Sequence, residues 1–390
     1  MSWRWVPPVY SPVSPGSLMA ASAAGCGFAS QSVESAIEQL CARYHACDAL
    51  LTDSGTSALI LAIRSIVPAG GTVAYPGYSC IDITAAAVAA RVRVRLYDLD
   101  PATLSPDLES LEQCLKRGVD AIVVSHLYGY PADVSTVRDI GARHCIPVIE
   151  DSAQAAGGKL GGVRLGGIGE ISILSFGRGK GATTGAGGAV LVRTPALVEW
   201  VREARHQLGS ARRGGKEVGA LAAQLLLSHP LLYRLPASVP ALKLGEMVYR
   251  SPKRPARMPA SSTAMLTSVL RRDDSEIETR RARANDLVSR VKASGRIVPI
   301  RPIAGGDPGF LRFAVTDTTG HISPNPALGI MRGYPLTLEQ HQQLQPFLES
   351  GETAGKGSKL LRDRLLTLPT HSRVAPRDHA RLCEWLVASS

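Results

Sequence analysis

Two apolar runs in the middle of the chain each lead to a residue that can do chemistry. Ile146 to Ile149 closes on Glu150 and Asp151; Ile171 to Phe176 is followed by Gly177, Arg178, Gly179 and then Lys180. A short, largely apolar run without alternation marks a strand buried on both faces of a parallel sheet. Open α/β sheets bind ligands outside the carboxyl ends of such strands. An acid and an amine delivered to neighbouring strand ends suit pyridoxal phosphate: the lysine holds the aldehyde, and the aspartate keeps the ring nitrogen protonated. Each residue alone has a plainer reading, since a strand-end aspartate often caps a helix and a lysine among glycines is often solvated. The conjunction carries the expectation.

The flanking pattern supplies what such a pair needs. Leu50 to Thr52 reads as a strand, and Asp53-Ser54-Gly55-Thr56-Ser57 opens a helix running through Ile66. A small, glycine-containing helix start aims free N–H groups and the positive end of the dipole outward, which makes a phosphate cradle. Strands are expected at 72–75, 92–97, 121–125 and 189–192, with helices at 32–44 (capped by Ser32), 106–117, 133–144 and 195–208. This alternation predicts a mostly parallel sheet covered on both faces. No GxGxxG with a downstream acid follows the first strand, so a dinucleotide site is not expected.

Five segments in register, Ser54–Leu59, His126–Asp133, Asp151–Gln154, Ser175–Lys180 and Gly185–Ala189, resemble the DegT/StrS-type sugar aminotransferases. The likeness covers residues 30–210 closely and 257–390 loosely. It implies a fold-type I pyridoxal-phosphate α/β fold with a smaller C-terminal α+β domain, and a homodimer. It also implies roles: Lys180 and Asp151 catalytic, Gly55, Thr56, Ser57 and Ser175 on the phosphate, and Gln154 on the phenolic oxygen. The family's aromatic residue that stacks on the cofactor is matched by Cys80, so either Tyr78 takes over the stacking, the better π-contact, or the Cys80 thiol covers the ring. His126 and Tyr128 are candidate substrate contacts, although for His126 a hydrogen-bonded structural role is the stronger reading. The resemblance implies transfer of an amino group from an amino acid, glutamate foremost, to a keto-sugar, nucleotide-linked in many relatives.

Residues 211–256 depart from the family. Their apolar runs, Leu221 to Leu227 and Leu231 to Tyr233, are too short and broken to cross a membrane. They read as a helical insert, either a packed hairpin or a lid with weak membrane association, and Arg254 and Arg257 are candidate cations for a substrate diphosphate. The family's asparagine two residues before Arg257 is replaced by Pro255. Around the insert the chain divides into an arm (1–30), a large cofactor domain (31–210) and a small domain (257–390), with the helix at 260–270 expected to contact the second subunit. A charged helix from Ser275 to Val291, strands at 297–301 and 310–315, and elements at 335–348, 365–368 and 376–387 complete it.

The 390 residues, 45% hydrophobic, suffice for two or three domains. The net charge of +11 comes with only 5% aromatic residues and no zinc spacing or helix-turn-helix pattern, so no nucleic acid partner is expected. The seven cysteines lack CxxC spacing and the first residues lack an apolar signal core, so a reduced, cytoplasmic protein is expected. Two readings compete with the aminotransferase. A pyridoxal-phosphate dehydratase or regulator is opposed by Lys180, because resembling dehydratases carry histidine there. A membrane-associated scaffold would need none of Asp151, Gln154 and Lys180.

Overall fold

The computed structural model describes residues 4–28, 33–239, 248–291 and 295–389. The first half alternates strands and helices: α1 (Pro15–Gly25), α2 (Val33–Tyr44), β1 (Asp48–Thr52), α3 (Gly55–Ile66), β2 (Thr72–Pro76), α4 (Ile81–Ala90), β3 (Arg93–Tyr97), α5 (Leu108–Lys116), β4 (Ala121–Ser125), α6 (Val134–Arg143) and β5 (Val148–Asp151). The short pair β6 (Lys159–Leu160) and β7 (Val163–Arg164) precedes β8 (Ile171–Ser175), β9 (Gly188–Val192) and α7 (Pro195–Gln207). The strands form one seven-stranded sheet in the order β1-β9-β8-β5-β4-β2-β3. Only β9 runs against its neighbours, β1 and β8. Every residue of β2, β4 and β9 is buried, as the unbroken apolar runs require.

Beyond α7 come α8 (Gly215–Leu227), α9 (Arg234–Ala237) and α10 (Ala260–Arg290). The sequence suggests two helices within 260–291; the structure has one of 31 residues. Nothing between Leu270 and Ser275 breaks a helix, because Arg271 to Asp274 contain neither glycine nor proline. Its first turns, Ser261 to Thr267, are buried, and the helix packs on α1 and α8 of the same chain. The stretch expected to meet a second subunit is therefore covered from within. The small domain follows: β10 (Ile297–Pro299), β11 (Gly306–Asp307), β12 (Phe313–Asp317), β13 (Met331–Arg332), α11 (Lys356–Arg364), β14 (Leu365–Leu368) and α12 (Pro376–Ser389). Four of these strands make an antiparallel sheet, β10-β12-β14-β13, and β11 pairs with β6.

Several expectations change here. The arm, rich in proline and serine and read from sequence as wrapping the surface, is packed in: Val6 is fully buried and α1 caps itself with Ser14, whose hydroxyl accepts from Ser17 N. Residues 335–348 form two short 3-10 turns rather than a regular element, because Pro335 and Pro346 interrupt the backbone pattern. Helix α11 was not expected. The proposed Ser32 cap lies outside the described residues, as does part of the insert. One core cluster joins residues of the large sheet, such as Ile122 and Val124, to Phe313, Val315 and Leu366 of the small one.

Candidate active site

The carboxyl ends of β5 and β8 lie side by side, with Asp151 opposite Ile173 in register. Asp151 Oδ1 accepts from Ala153 N at 3.0 Å and Oδ2 from the Ser125 hydroxyl at 3.2 Å. Burial raises its pKa above the ordinary carboxylate value, against the pull of the Ala153 N–H and the nearby Lys180 charge. Lys180 follows the turn that leaves β8; its N–H reaches Gly177 O at 3.4 Å, and its carbonyl accepts from the Ser11 hydroxyl. Arg280, wholly buried on α10, donates to Tyr10 O at 3.3 Å and Gly181 O at 3.2 Å. One guanidinium thus ties the N-terminal arm to the lysine turn.

The start of α3 closes the same space. Ser54 caps the helix by accepting from Ser57 N at 3.1 Å, and its hydroxyl bonds the Ser57 hydroxyl at 3.0 Å. Glycine is required at two contacts: a Cβ on Gly55 would sit 2.6 Å from Ser175 Cβ, and one on Gly188 would sit 2.5 Å from Ser54 O. The helix start is thereby seated against the ends of β8 and β9. Gly55, Thr56, Ser57, Ser175, Asp151, Gln154 and Lys180 all line one cleft of about 1500 Å³. First-turn N–H groups lack intrahelical acceptors, so this corner offers a phosphate both donors and a favourable dipole. The donor set fits pyridoxal phosphate: Lys180 for its aldehyde, Asp151 for its ring nitrogen, and the helix start with Ser57 and Ser175 for its phosphate.

Other expected residues sit differently. Tyr78 is fully buried and does not line the cleft; its hydroxyl accepts from Tyr334 N at 2.6 Å, and the two rings pack at 5.4 Å. Its phenol stacks on protein, so it is not free to cover a cofactor ring. Cys80 lines the cleft instead and starts α4, its thiol 3.7 Å from Asp82 Oδ2. Burial first, and Asp82 second, push that thiol up to about 12, so it stays protonated. His126 lines the cleft, yet both ring nitrogens are engaged: Nε2 with Glu150 Oε1 at 3.0 Å, and Nδ1 accepting from Ala132 N at 3.0 Å. Neither nitrogen is left free for a substrate. Glu150 also accepts from Gly166 N at 2.5 Å, Ile168 N at 2.9 Å and Gly169 N at 2.8 Å; burial opposes its ionisation, but His126 and the Gly169 and Gly166 N–H groups outweigh it and hold the carboxyl at about 2.

Gln154 Oε1 accepts from Tyr128 N at 3.3 Å, and Nε2 donates to the Tyr334 hydroxyl. Tyr128 and Tyr334 stack at 5.3 Å with 26° between their planes. The pair of arginines expected on a diphosphate lies away from the cleft. Arg254 borders a shallower recess beside Arg64 and Arg91, and Arg257 is exposed and donates to Arg205 O at 2.7 Å. A bridge between Thr52 and Arg257 fixes the backbone there, turning the side chain outward. Arg250 and Lys253 of the basic 250–257 stretch line the cleft, as do Gln224 and Tyr233 of the insert and Arg312, Arg332 and Tyr334 of the small domain. A readable signal existed for Arg312, a lone charge inside the apolar run Phe310 to Val315.

Residues 24–387 match the model of the DegT/DnrJ/EryC1/StrS aminotransferase family. The chain belongs to this family. Its members depend on pyridoxal phosphate, in agreement with the donor set above. The L-glutamine:2-deoxy-scyllo-inosose aminotransferase of Streptoalloteichus tenebrarius is 35% identical over 153 residues, which is 39% of this chain and 36% of that protein. The dTDP-3-amino-3,4,6-trideoxy-alpha-D-glucose transaminase of Streptomyces venezuelae is 33% identical over 178 residues, 44% of this chain and 46% of that one. These matches span between about a third and a half of the curated relatives' length. The crystal structure of the sugar aminotransferase CalS13 from Micromonospora echinospora superposes with a TM-score of 0.75 at 22% identity, covering 99% of this chain and 100% of that one. This shows a shared fold. Among the described residues, no helix is long and apolar enough to cross a membrane.

Proposed function

We propose that the chain is a pyridoxal-phosphate-dependent aminotransferase acting on the carbonyl of a sugar or cyclitol. The observation that carries this reading is the meeting of Lys180, Asp151 and the α3 start in one cleft. When bound, the cofactor withdraws electrons from the carbon that gains or loses the amino group. Asp151 holds a proton on the ring nitrogen, as its hydrogen bonds from Ala153 and Ser125 fix the carboxylate. Lys180 would hold the aldehyde, and its Nζ would carry the proton exchanged at the reacting carbon. Gln154, steadied by Tyr128 and Tyr334, orients the phenolic oxygen.

Amino acids such as glutamate or glutamine are the donors in this reading; glutamine is named for one relative. A nucleotide-linked keto-sugar is the finer assignment for the acceptor, supported by Arg250 and Lys253 on the cleft wall. A homodimer remains part of the proposal, closed two-fold pairs being the commonest oligomers. The unpaired state of all seven cysteines supports a reducing, cytoplasmic setting. The decisive test is an absorbance spectrum of the purified protein with cofactor, before and after glutamate or glutamine. Borohydride reduction and peptide mapping should then place the label on Lys180. A label elsewhere, or a spectrum unmoved by every amino acid, refutes the reading.

A further inference from the structure

Among the described residues, several buried or half-buried arginines keep carboxylates close. Arg280 has Glu276 and Asp273, Arg193 has Glu150 and Glu170, and Arg43 has Asp273 and Asp274. Arg312, which enters β12, is only 8% exposed, yet no carboxylate among the described residues bonds it or acts on its charge. The groups around it are the phenols of Tyr128, Tyr233 and Tyr334, all kept neutral by burial. Burial lowers the guanidinium itself to about 10, so it remains charged at neutral pH.

Its geometry is that of a held donor. Nη2 gives hydrogen bonds to Gly329 O and Thr367 O, both at 2.8 Å, which fixes the plane of the guanidinium. Nε has no partner among the described residues. The side chain lines the cleft that also holds Lys180 and Asp151. A desolvated charge without a counter-ion is costly, so its retention at a cleft wall marks the seat of an anion. A fork with one edge occupied and another free matches a carboxylate. A diphosphate, carrying more charge, suits instead the more exposed Arg250 and Lys253.

We propose that Arg312 receives the α-carboxylate of the amino donor. This rests on the aminotransferase reading and assigns that site its donor class: α-amino acids rather than simple amines. The test uses the holoenzyme, with Arg312→Met and Arg312→Lys. Cofactor absorbance is followed with L-glutamate, L-glutamine and 4-aminobutyrate, and calorimetry follows the binding of glutarate. Expected for Arg312→Met is a loss of about a hundredfold in kcat/KM for whichever amino acid is used, carried by KM, with a parallel loss of glutarate affinity. 4-Aminobutyrate, lacking the α-carboxylate, should be a poor donor for both proteins. Arg312→Lys keeps charge but loses the fork, and should lie between, at about tenfold. Replacing a buried cation by methionine is often tolerated; should that variant fail to fold, the lysine variant decides alone.

Unchanged glutamate kinetics and glutarate affinity in a folded variant overturn the assignment and leave the aminotransferase standing. A variant that loses inhibition by inorganic pyrophosphate, while donor kinetics hold, overturns it in favour of an acceptor phosphate. A wild-type spectrum that no amino acid alters, seen before any variant is made, sinks both readings together.

Discussion

The floor and the far wall of the cleft are built by different physics. The floor, at the ends of β5 and β8 and the start of α3, is positioned by backbone: parallel register, a helix cap, and two glycines where a Cβ would collide. The far wall, from the insert and the small domain, is made of side chains: stacked tyrosines, a lone buried arginine, and basic groups nearer solvent. A backbone scaffold tolerates little change of shape, whereas a wall of side chains can be altered one residue at a time. Chemistry common to a family belongs on the first kind of surface, and selectivity on the second.

Breaking the floor should cost most. Lys180→Ala is expected to abolish transamination and the lysine-linked cofactor absorbance while leaving the melting temperature close to wild type, because the half-buried side chain contributes little packing. Asp151→Asn should still bind cofactor yet slow the proton transfer by about a hundredfold, the scale of losing a preorganised charge partner. Single-turnover absorbance measures both, and an unchanged rate in the second variant removes Asp151 from the chemistry. Gly55→Ala should weaken cofactor binding by about tenfold or more, since its new methyl meets Ser175 Cβ at 2.6 Å.

Changes to the far wall should be smaller and selective. The pair Arg250→Glu and Lys253→Glu is expected to raise the KM of an anionic acceptor by about tenfold, more steeply at low salt, with the donor half-reaction unmoved. The same reversal at Arg254 and Arg257, outside the cleft, is the control and should change little.

The smallest effect on activity, but a clear one on stability, is expected from Glu150→Gln. Its carboxyl is held at about 2 in the folded protein, below the ordinary carboxylate range. Between those two values the unfolded chain binds the extra proton, so stability rises with pH across that window and falls away as acid is added. Melting curves of wild type should show this loss below about pH 4.5. The glutamine variant should melt lower at neutral pH, by roughly 5 °C, and respond less to acid.

The contrast between the two walls also explains what could be read in the sequence. The floor was legible because its determinants are local: apolar runs ending in Asp151 and Ser175, and a Ser-Gly-Thr-Ser helix start. The sheet followed from the same alternation. Tyr78 was misjudged because an aromatic two residues from the matching position looks available, and only the fold shows Tyr334 and Gly333 packed against its hydroxyl. Arg254 and Arg257 were chosen for charge, but the bridge between Thr52 and Arg257 turns that segment away from the cleft. Arg312 and Tyr334 lie far along the chain from Lys180, and no local spacing could have linked them. Helix α1 was hidden in a stretch rich in proline and serine, where its caps resemble loop residues.

The clamp by Arg280 ties the function to the order of synthesis. Tyr10 and Ser11 leave the ribosome early and the lysine turn much later, but the guanidinium that joins Tyr10 O to Gly181 O belongs to α10 and emerges about a hundred residues after Lys180. A nascent chain can thus complete its large sheet before the arm is tied to the lysine turn by one buried side chain from the far half of a long helix.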